Sequence, residues 1–366
     1  MSRWTIAIDR EDIRAATLEP LAAAQLADGE VEVAVDLYAM TANNVTYAVF
    51  GKPAGLFGDN QGYWDFFSEP GKPGRLPVWG FATVTDSAAD GVAVGDRFYG
   101  YYPMASHAIL APSRITAHGF TDATPRRTTL PVIYNQYQRI DALADYRPDH
   151  HDYWPVLRPL FLTGWLIADQ FEDEGDYGAE QVLIISASSK TAIGFAHAIA
   201  QRSGPRPRTV GLTSPGGVAA LSATGVYDAV VGYDALDTLD TGIAAALVDM
   251  AGNATITAAL HNAFGDTLKA SIIVGKSHWA ATNDAGHLPG PPRQGFFAPG
   301  RSEKRVADWG GAGFATRMGA AWLGFMERAP AVIRIDARDG VDAALAAYHE
   351  VLSGGADAGA GIVIRP

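Results

Sequence analysis

The chain contains no cysteine in 366 residues. That absence excludes disulfides, iron–sulfur clusters, thiolate nucleophiles and every zinc site built on thiolates. Positive charge is also scarce: 28 Lys and Arg stand against 40 Asp and Glu, a formal net charge of −12. This balance argues against a general affinity for nucleic acid or for an anionic membrane, because such partners need a basic face. A local basic pocket for one small phosphate ligand is compatible with it. No uncharged apolar run is long enough to span a bilayer, and charges interrupt the first ten residues where a signal peptide needs an apolar centre. The expectation is a soluble, cytoplasmic protein. What is present is an ordinary globular balance, 48% hydrophobic and 19% charged, over a length that suits two domains.

The first part reads as short strands and loops. Glu30 to Leu37 alternates apolar and polar residues, the period of a half-buried strand, and Val78 to Thr85 and Arg97 to Tyr102 read as further strands. Between them lies a long segment, Gly51 to Arg75, rich in glycine and proline, and a loop of that length is more often functional than idle. After about residue 155 short apolar runs alternate with helical spacing. Gln181 to Ser186, Thr209 to Thr213, Ala229 to Tyr233, Ala244 to Asp249 and Ala270 to Gly275 are the strand candidates, and Ile193 to Ala200, Gly217 to Thr224 and Ile256 to Phe264 the helices. That alternation points to βαβ units and a doubly wound parallel sheet. Ala280 to Trp309 reads as a Gly- and Pro-rich loop; a strand near Val332, a helix from Val341 to Leu352 and a strand at Gly361 to Ile364 form the tail. The domains expected are 1–155, β-rich; 156–329, nucleotide-binding; and a tail, 330–366, returning to the first.

The segment Ser186-Ala187-Ser188-Ser189-Lys190-Thr191-Ala192 leaves a predicted strand and opens a predicted helix. Such a turn points free backbone N–H groups and the positive end of the helix at an anion. Dinucleotide folds place a pyrophosphate there, usually with G-x-G-x-x-G; here serines and alanine stand in place of glycines, and a plain capped helix is the competing reading. The second strand of an NAD site commonly ends in Asp or Glu, which binds the ribose 2′-hydroxyl. This one ends Leu212-Thr213-Ser214-Pro215 with no acid, which favours NADPH, with Lys190 and Arg208 as candidate cations. Thr213 and Ser214 also read as an ordinary helix cap. Because ligands sit at the carboxyl ends of parallel strands, the further cofactor candidates are Ser188, Ser189, Thr191, Tyr233, Ala251, Gly252, Val274 and Gly275. Asp249 reads as a cap of its turn, and Thr163 and Gly164 as residues that open the helix joining the domains and face the nicotinamide.

The order of a β-rich domain, a nucleotide-binding domain and a strand–helix–strand tail resembles the medium-chain dehydrogenase/reductase superfamily, in its zinc-independent quinone and enoyl reductase branch. Ala42-Asn43-Asn44-Val45-Thr46-Tyr47 resembles the asparagine-led active-site turn of that branch. Leu76 to Phe81, then Val94-Gly95-Asp96-Arg97-Phe98, resembles its P-x-x-G and V-G-D-R-V stretch, and Ala344 to Pro366 its closing helix and strand. The wording Asn-Asn-Val-Thr-Tyr and Val-Trp-Gly-Phe is most similar to the group DUF2855. The resemblance implies an α/β protein with a GroES-like β-rich catalytic domain and a Rossmann domain, NADPH as cofactor, and possible homodimers. Zinc members carry a four-cysteine lobe and a catalytic cysteine, and neither can exist here.

The implied reaction moves a hydride to an activated alkene, quinone or carbonyl, and a proton follows. Tyr47 is the first candidate proton donor, Asn43 a residue that fixes the nicotinamide ribose or a substrate carbonyl, and Tyr134, with Asn135 beside it, the second candidate; each tyrosine also reads as simple packing. The aromatic supply of Tyr47, Phe57, Tyr63, Trp64, Phe66, Phe67 and Tyr134 suits an apolar or aromatic substrate. Asp149-His150-His151-Asp152 lacks metal-ligand spacing and reads as a solvated loop. His278 and Trp279 read as pocket-lining residues, and Arg301, Lys304 and Arg305 as a small basic run near the nucleotide edge, able to meet a phosphate but more simply a solvent-exposed face. Two alternatives stay open: a non-catalytic NADPH-binding protein, and a lyase or isomerase on the same fold.

Overall fold

Alternation of side chains along extended backbone dictates where each sheet buries its apolar face. The computed structural model describes residues 3–23, 25–53, 57, 60–275 and 288–366. Strands β1 (Trp4–Ile8), β2 (Ala16–Pro20), β3 (Val31–Met40), β4 (Pro77–Ser87), β5 (Arg97–Pro103), β6 (His107–Leu110), β7 (Pro112–Thr116), β8 (Gly119–Asp122) and β9 (Gln136–Arg139), with helix α1 (Ala42–Val49), form the first part. Helix α2 (Tyr153–Asp173) leads into β10 (Gln181–Ile185), α3 (Lys190–Ala200), β11 (Arg208–Thr213), α4 (Val218–Ala223), β12 (Ala229–Gly232), β13 (Ala245–Asp249), α5 (Ala254–Phe264), β14 (Leu268–Ile273), β15 (Arg293–Gly295) and α6 (Ala298–Met326). A short helix α7 (Ala329–Val332), β16 (Arg334–Asp339), α8 (Gly340–Leu352) and β17 (Ala360–Arg365) close the chain.

Two compact units result, Met1–Leu157 with Arg334–Pro366, and Arg158–Ile333. In the first, the main sheet runs β16-β17-β3-β4-β5-β9-β8-β7, with β6 on β3 and a separate β1–β2 hairpin. The last strand, β17, lies antiparallel to β3 with Ile362 opposite Met40, so the carboxyl end completes a sheet begun near the amino end.

The second unit holds one sheet in the order β12-β11-β10-β13-β14-β15, with every pairing parallel. Val182 and Ile184 of β10 pack with Ile167 and Phe171 of α2 and Phe195 and Ile199 of α3; Leu183 and Ile185 pack with Leu260 and Phe264 of α5. Burial on both faces explains the unbroken apolar runs of the sequence. This is a doubly wound sheet in the strand order of dinucleotide-binding domains.

Three expectations need correction. Residues 42–49 are a helix, not a turn. The loop expected over 280–309 is helical from Ala298, where α6 begins and runs to Met326 with a break at Gly310 (φ 73°); residues 280–287 lie outside the described part. The tail strand begins at Arg334, after a helical turn at Ala329–Val332.

Helices α2 and α3 meet through glycine. A Cβ on Gly164 would sit 2.5 Å from the Phe195 amide nitrogen and 2.6 Å from the Thr191 carbonyl oxygen, and one on Gly194 would sit 3.2 Å from the Phe161 Cα. Gly164 is therefore a packing residue, and the Thr163 hydroxyl turns back to the Pro159 carbonyl at 3.0 Å. Both residues lie in the middle of α2 rather than opening it. Gly164→Ala is expected to force α2 off α3 and to lower unfolding stability by about 2 kcal/mol or more, measured by urea denaturation; an unchanged midpoint would remove this contact from the account.

Candidate functional site

The first unit concentrates aromatic side chains around helix α1. Asn44 anchors that helix: its Oδ1 accepts the Thr41 N–H at 2.7 Å and its Nδ2 donates to the Pro77 carbonyl at 3.0 Å, tying α1 to the start of β4. Asn43 and Tyr47 lie four residues apart and so share a helix face. The Asn43 Nδ2 donates to the Tyr47 hydroxyl at 2.6 Å, and the Trp79 Nε1 donates to the same oxygen at 3.3 Å. A phenol oxygen has two lone pairs and one proton. Two N–H groups therefore occupy its lone pairs and leave its proton to donate, and the buried Tyr101 hydroxyl is a further hydrogen-bonding neighbour of the same oxygen.

Around that hydroxyl the rings form a continuous wall. Tyr47 lies 4.5 Å from Tyr63 between ring centroids and edge-on to Tyr101 at 5.6 Å; Tyr101 meets Trp79 at 4.9 Å and Tyr134 at 5.1 Å. The Tyr63 and Tyr134 hydroxyls share a hydrogen bond of 3.2 Å, and Phe57 packs edge-on to Tyr63 and Tyr134. Burial pushes the Tyr47, Tyr63 and Tyr101 phenols well above their ordinary range and the Tyr134 phenol up to about 12. Every one is a neutral acid at physiological pH. The Gly51–Arg75 segment supplies Tyr63 and Phe66 from a 3-10 turn whose Trp64 is buried. Gly51 and Gly74 make room for it: a Cβ on either would lie within 3 Å of the indole.

The strands also recruit residues that the sequence reading did not single out. Trp79 of β4 and Tyr101 of β5 are register partners, so their rings share a face. The signal was available as Tyr99-x-Tyr101 alternation opposite Trp79. Arg127 had no signal. It is 1% exposed and donates to Asp122 (2.6 Å), Asn135 Oδ1 (2.9 Å), the Tyr137 hydroxyl (3.0 Å) and the Tyr134 carbonyl (3.0 Å). Asn135 is thus spent on Arg127, and the pair fixes the turn that presents Tyr134.

In the second unit, five strand ends meet one edge of the parallel sheet. Ser188, Ser189, Lys190 and Thr191 follow β10, and Thr213 and Ser214 close β11. Tyr233 follows β12, Ala251 and Gly252 follow β13, and Val274 and Gly275 follow β14. The turn after β10 bends at Ser186, a non-glycine residue with φ of 58°. Its amide donates to the Tyr233 hydroxyl at 2.9 Å, so Tyr233 braces the turn. Ser189 caps α3, its Oγ accepting the Ala192 N–H at 3.2 Å. The first amides of a helix have no intrahelical acceptor, and those of Ser188 and Thr191 donate to no acceptor among the described residues. Open amides at a helix start are the kind of donor that an anion can accept from.

Elsewhere along this edge the chain satisfies itself. Asp249 accepts the amides of Ala251 (3.0 Å) and Gly252 (2.9 Å) and the Thr257 hydroxyl (3.0 Å), which organises the turn before α5. Arg208 pairs with Gln181 at the opposite end of the sheet, about 17 Å along β11 from Thr213, and is not a candidate for the 2′-position. Arg301 and Arg305 are not a solvent-exposed run either. Both are buried and bind Asp169 and Asp173 of α2, at 2.7 and 3.0 Å for Arg301 and 2.8 and 2.9 Å for Arg305. Arg305 and Arg301 together hold the Asp173 carboxyl well below the ordinary carboxylate range. Within the stretch expected to be solvated, Asp149 is exposed and Asp152 pairs with Arg365 at a part-exposed position, while His151 stacks on Phe81 and bonds the Tyr146 hydroxyl. His278 and Trp279 lie outside the described residues.

A doubly wound parallel unit together with an antiparallel β-rich unit closed by the carboxyl-terminal strand is the fold of the medium-chain dehydrogenases and reductases. Solved structures bear this out across the whole chain. CurA from Vibrio vulnificus, in complex with NADPH, aligns with a TM-score of 0.62 at 13% identity over 99% of this chain and 98% of its own. The yhdH oxidoreductase from Salmonella enterica, in complex with NADP, gives 0.57 at 13% identity over 99% of each chain. A thermostable alcohol dehydrogenase from Pyrobaculum aerophilum gives 0.57 at 12% identity over 100% of each. By sequence the chain belongs to the family DUF2855, described as a protein of unknown function, which matches residues 38–357. No curated protein matches it.

Arg127 is the residue on which the Tyr134 side of the wall depends. Arg127→Leu is expected to cost about 3–5 kcal/mol, because Asp122 is left charged and buried without its partner, and denaturant unfolding measures the loss. A loss below about 1 kcal/mol would show that the network does not hold this turn.

Proposed function

We propose that the protein is an NADPH-dependent oxidoreductase that works without zinc and reduces an activated alkene, quinone or carbonyl. The observation that carries this reading is the pair of open amides, Ser188 and Thr191, at the end of β10 in a sheet of dinucleotide-binding order. The complexes of CurA with NADPH and of yhdH with NADP support the choice of cofactor. The absence of any carboxylate in Thr213-Ser214-Pro215 supports NADPH over NADH, since an acid there would repel a 2′-phosphate.

In this reading Ser188 and Thr191 bind the diphosphate through their amides, with Ser189, Lys190, Thr213 and Ser214 beside them. Tyr233 keeps the turn in shape, and Ala251, Gly252, Val274 and Gly275 line the same edge. Bound there, NADPH supplies a hydride. With no cysteine in the sequence, activation of the substrate falls to hydrogen bonding and proton donation. Tyr47 supplies the proton from its Oη. Asn43 and Trp79 orient that oxygen and offset part of the cost of the phenolate left behind, which burial makes expensive. Tyr134 backs the wall through Tyr63. A wall of neutral rings suits an uncharged, planar substrate. The possible homodimer implied by the family resemblance, and the cytoplasmic location expected from the sequence, belong to the same reading.

Tyr47→Phe is expected to lower NADPH-dependent turnover of an enone or quinone about 100-fold or more while leaving the NADPH dissociation constant nearly unchanged. Wild-type turnover is expected to show no loss attributable to tyrosine ionisation below about pH 10, because burial raises these pKa values and keeps the acid protonated. Unchanged turnover in the variant would move the proton to another donor. Lys190→Ala is expected to weaken NADPH about tenfold and NADH less, read by fluorescence titration; equal losses would separate Lys190 from the 2′-phosphate.

A further inference from the structure

We propose that the second unit carries a separate binding site for a small aliphatic carboxylate, in the cavity between the carboxyl-terminal half of α3 and the end of α6. The cavity has a volume of about 120 Å³. It lies by the start of β11, where Thr209 lines it, and therefore at the sheet end opposite the Ser188–Thr191 corner. Its walls come from α3 (Ile193, His197), the loop before β12 (Val226), and the α6–α7 end (Phe325, Arg328, Val332).

Three features define the ligand. First, His197 is only 8% exposed, and its Nε2 is buried with no hydrogen-bond partner among the described residues. An orphan of this kind is costly unless something fills it. Second, the guanidinium of Arg328 borders the same cavity and makes no ion pair among the described residues. Its field reaches His197, where burial first and Arg328 second push the imidazole down to about 4. The other cation of the cavity, Arg206, is already neutralised: it grips Asp228 at 2.7 and 2.9 Å, and Asp228 also accepts the Thr209 amide and hydroxyl at 2.8 and 3.0 Å. The site therefore holds one unmatched positive charge. Third, the remaining surface is apolar, from Ile193, Val226, Phe325 and Val332.

One negative charge, two or more acceptor lone pairs and a short hydrocarbon tail satisfy all three at once. A carboxylate accepts from the Arg328 guanidinium and from an imidazole N–H, and its alkyl chain covers the apolar wall. Inorganic phosphate would leave that wall wet, and an alcohol would leave Arg328 unmatched.

Calorimetric titration of the full chain at pH 7 with butyrate, butanol and inorganic phosphate tests this. Butyrate is expected to bind saturably with a dissociation constant near or below about 1 mM, and butanol and phosphate at least about tenfold more weakly. Arg328→Gln, at an exposed position that folding tolerates, is expected to weaken butyrate about tenfold or more; Val332→Trp, which fills the cavity, is expected to abolish binding. Circular dichroism confirms that both variants fold, and NADPH titration of the same variants is expected to be unchanged, which separates this site from the cofactor reading. No saturation by butyrate up to about 50 mM, equal binding of butanol, tighter binding of phosphate, or an unaffected Arg328→Gln would each overturn the proposal.

Discussion

The proposed cofactor corner of the second unit depends on how strand β10 passes into helix α3. The strand is buried on both faces and the helix is pinned to α2 through Gly164 and Gly194, so the short turn between them has no freedom to relax. It bends at Ser186 with a left-handed backbone that serine adopts at a cost, and the Tyr233 hydroxyl on the Ser186 amide holds it there. The outcome is a pair of helix-initiating amides, Ser188 and Thr191, that meet no acceptor among the described residues. Glycine commonly supplies this geometry. Here a braced serine does so, and the Ser189 cap secures the first turn of the helix.

In the first unit the governing constraint is the valence of one oxygen. Two N–H donors converge on the Tyr47 hydroxyl, and a helix and a strand are needed to bring them there: α1 for Asn43 and β4 for Trp79. The helix is seated by Asn44, the strand by its pairing with β3 and β5. Adjacent asparagines thus divide the work, one facing the hydroxyl and the other locking the backbone. Burial makes the phenol a weak acid, whereas the donors favour its deprotonated form. Burial is the larger of the two, so the phenol stays protonated.

Legibility followed the range of the interactions. The doubly wound sheet was readable because its strands are local apolar runs between local turn signals, and β10, β11, β13 and β14 fall close to the runs that predicted them. Helix α6 was not readable, because Gly310, Gly311 and Gly313 break its pattern and its charged face pairs with α2, more than 120 residues earlier. The same long-range pairing turned Arg301 and Arg305 from an expected surface run into a buried network. Asn43 and Tyr47 were visible as a motif, though their contact needed the helix that the motif was read without. Trp79 and Arg127 became site residues only through strand register and a turn, neither of which composition discloses.

The account stands on the amides of Ser188 and Thr191 holding a dinucleotide. Titration of the purified chain with NADPH and NADH, followed by nucleotide fluorescence, with inorganic pyrophosphate as competitor, addresses this most directly. The account predicts saturable NADPH binding, tighter than NADH and displaced by pyrophosphate. Failure of both nucleotides to bind at about millimolar concentration would contradict it.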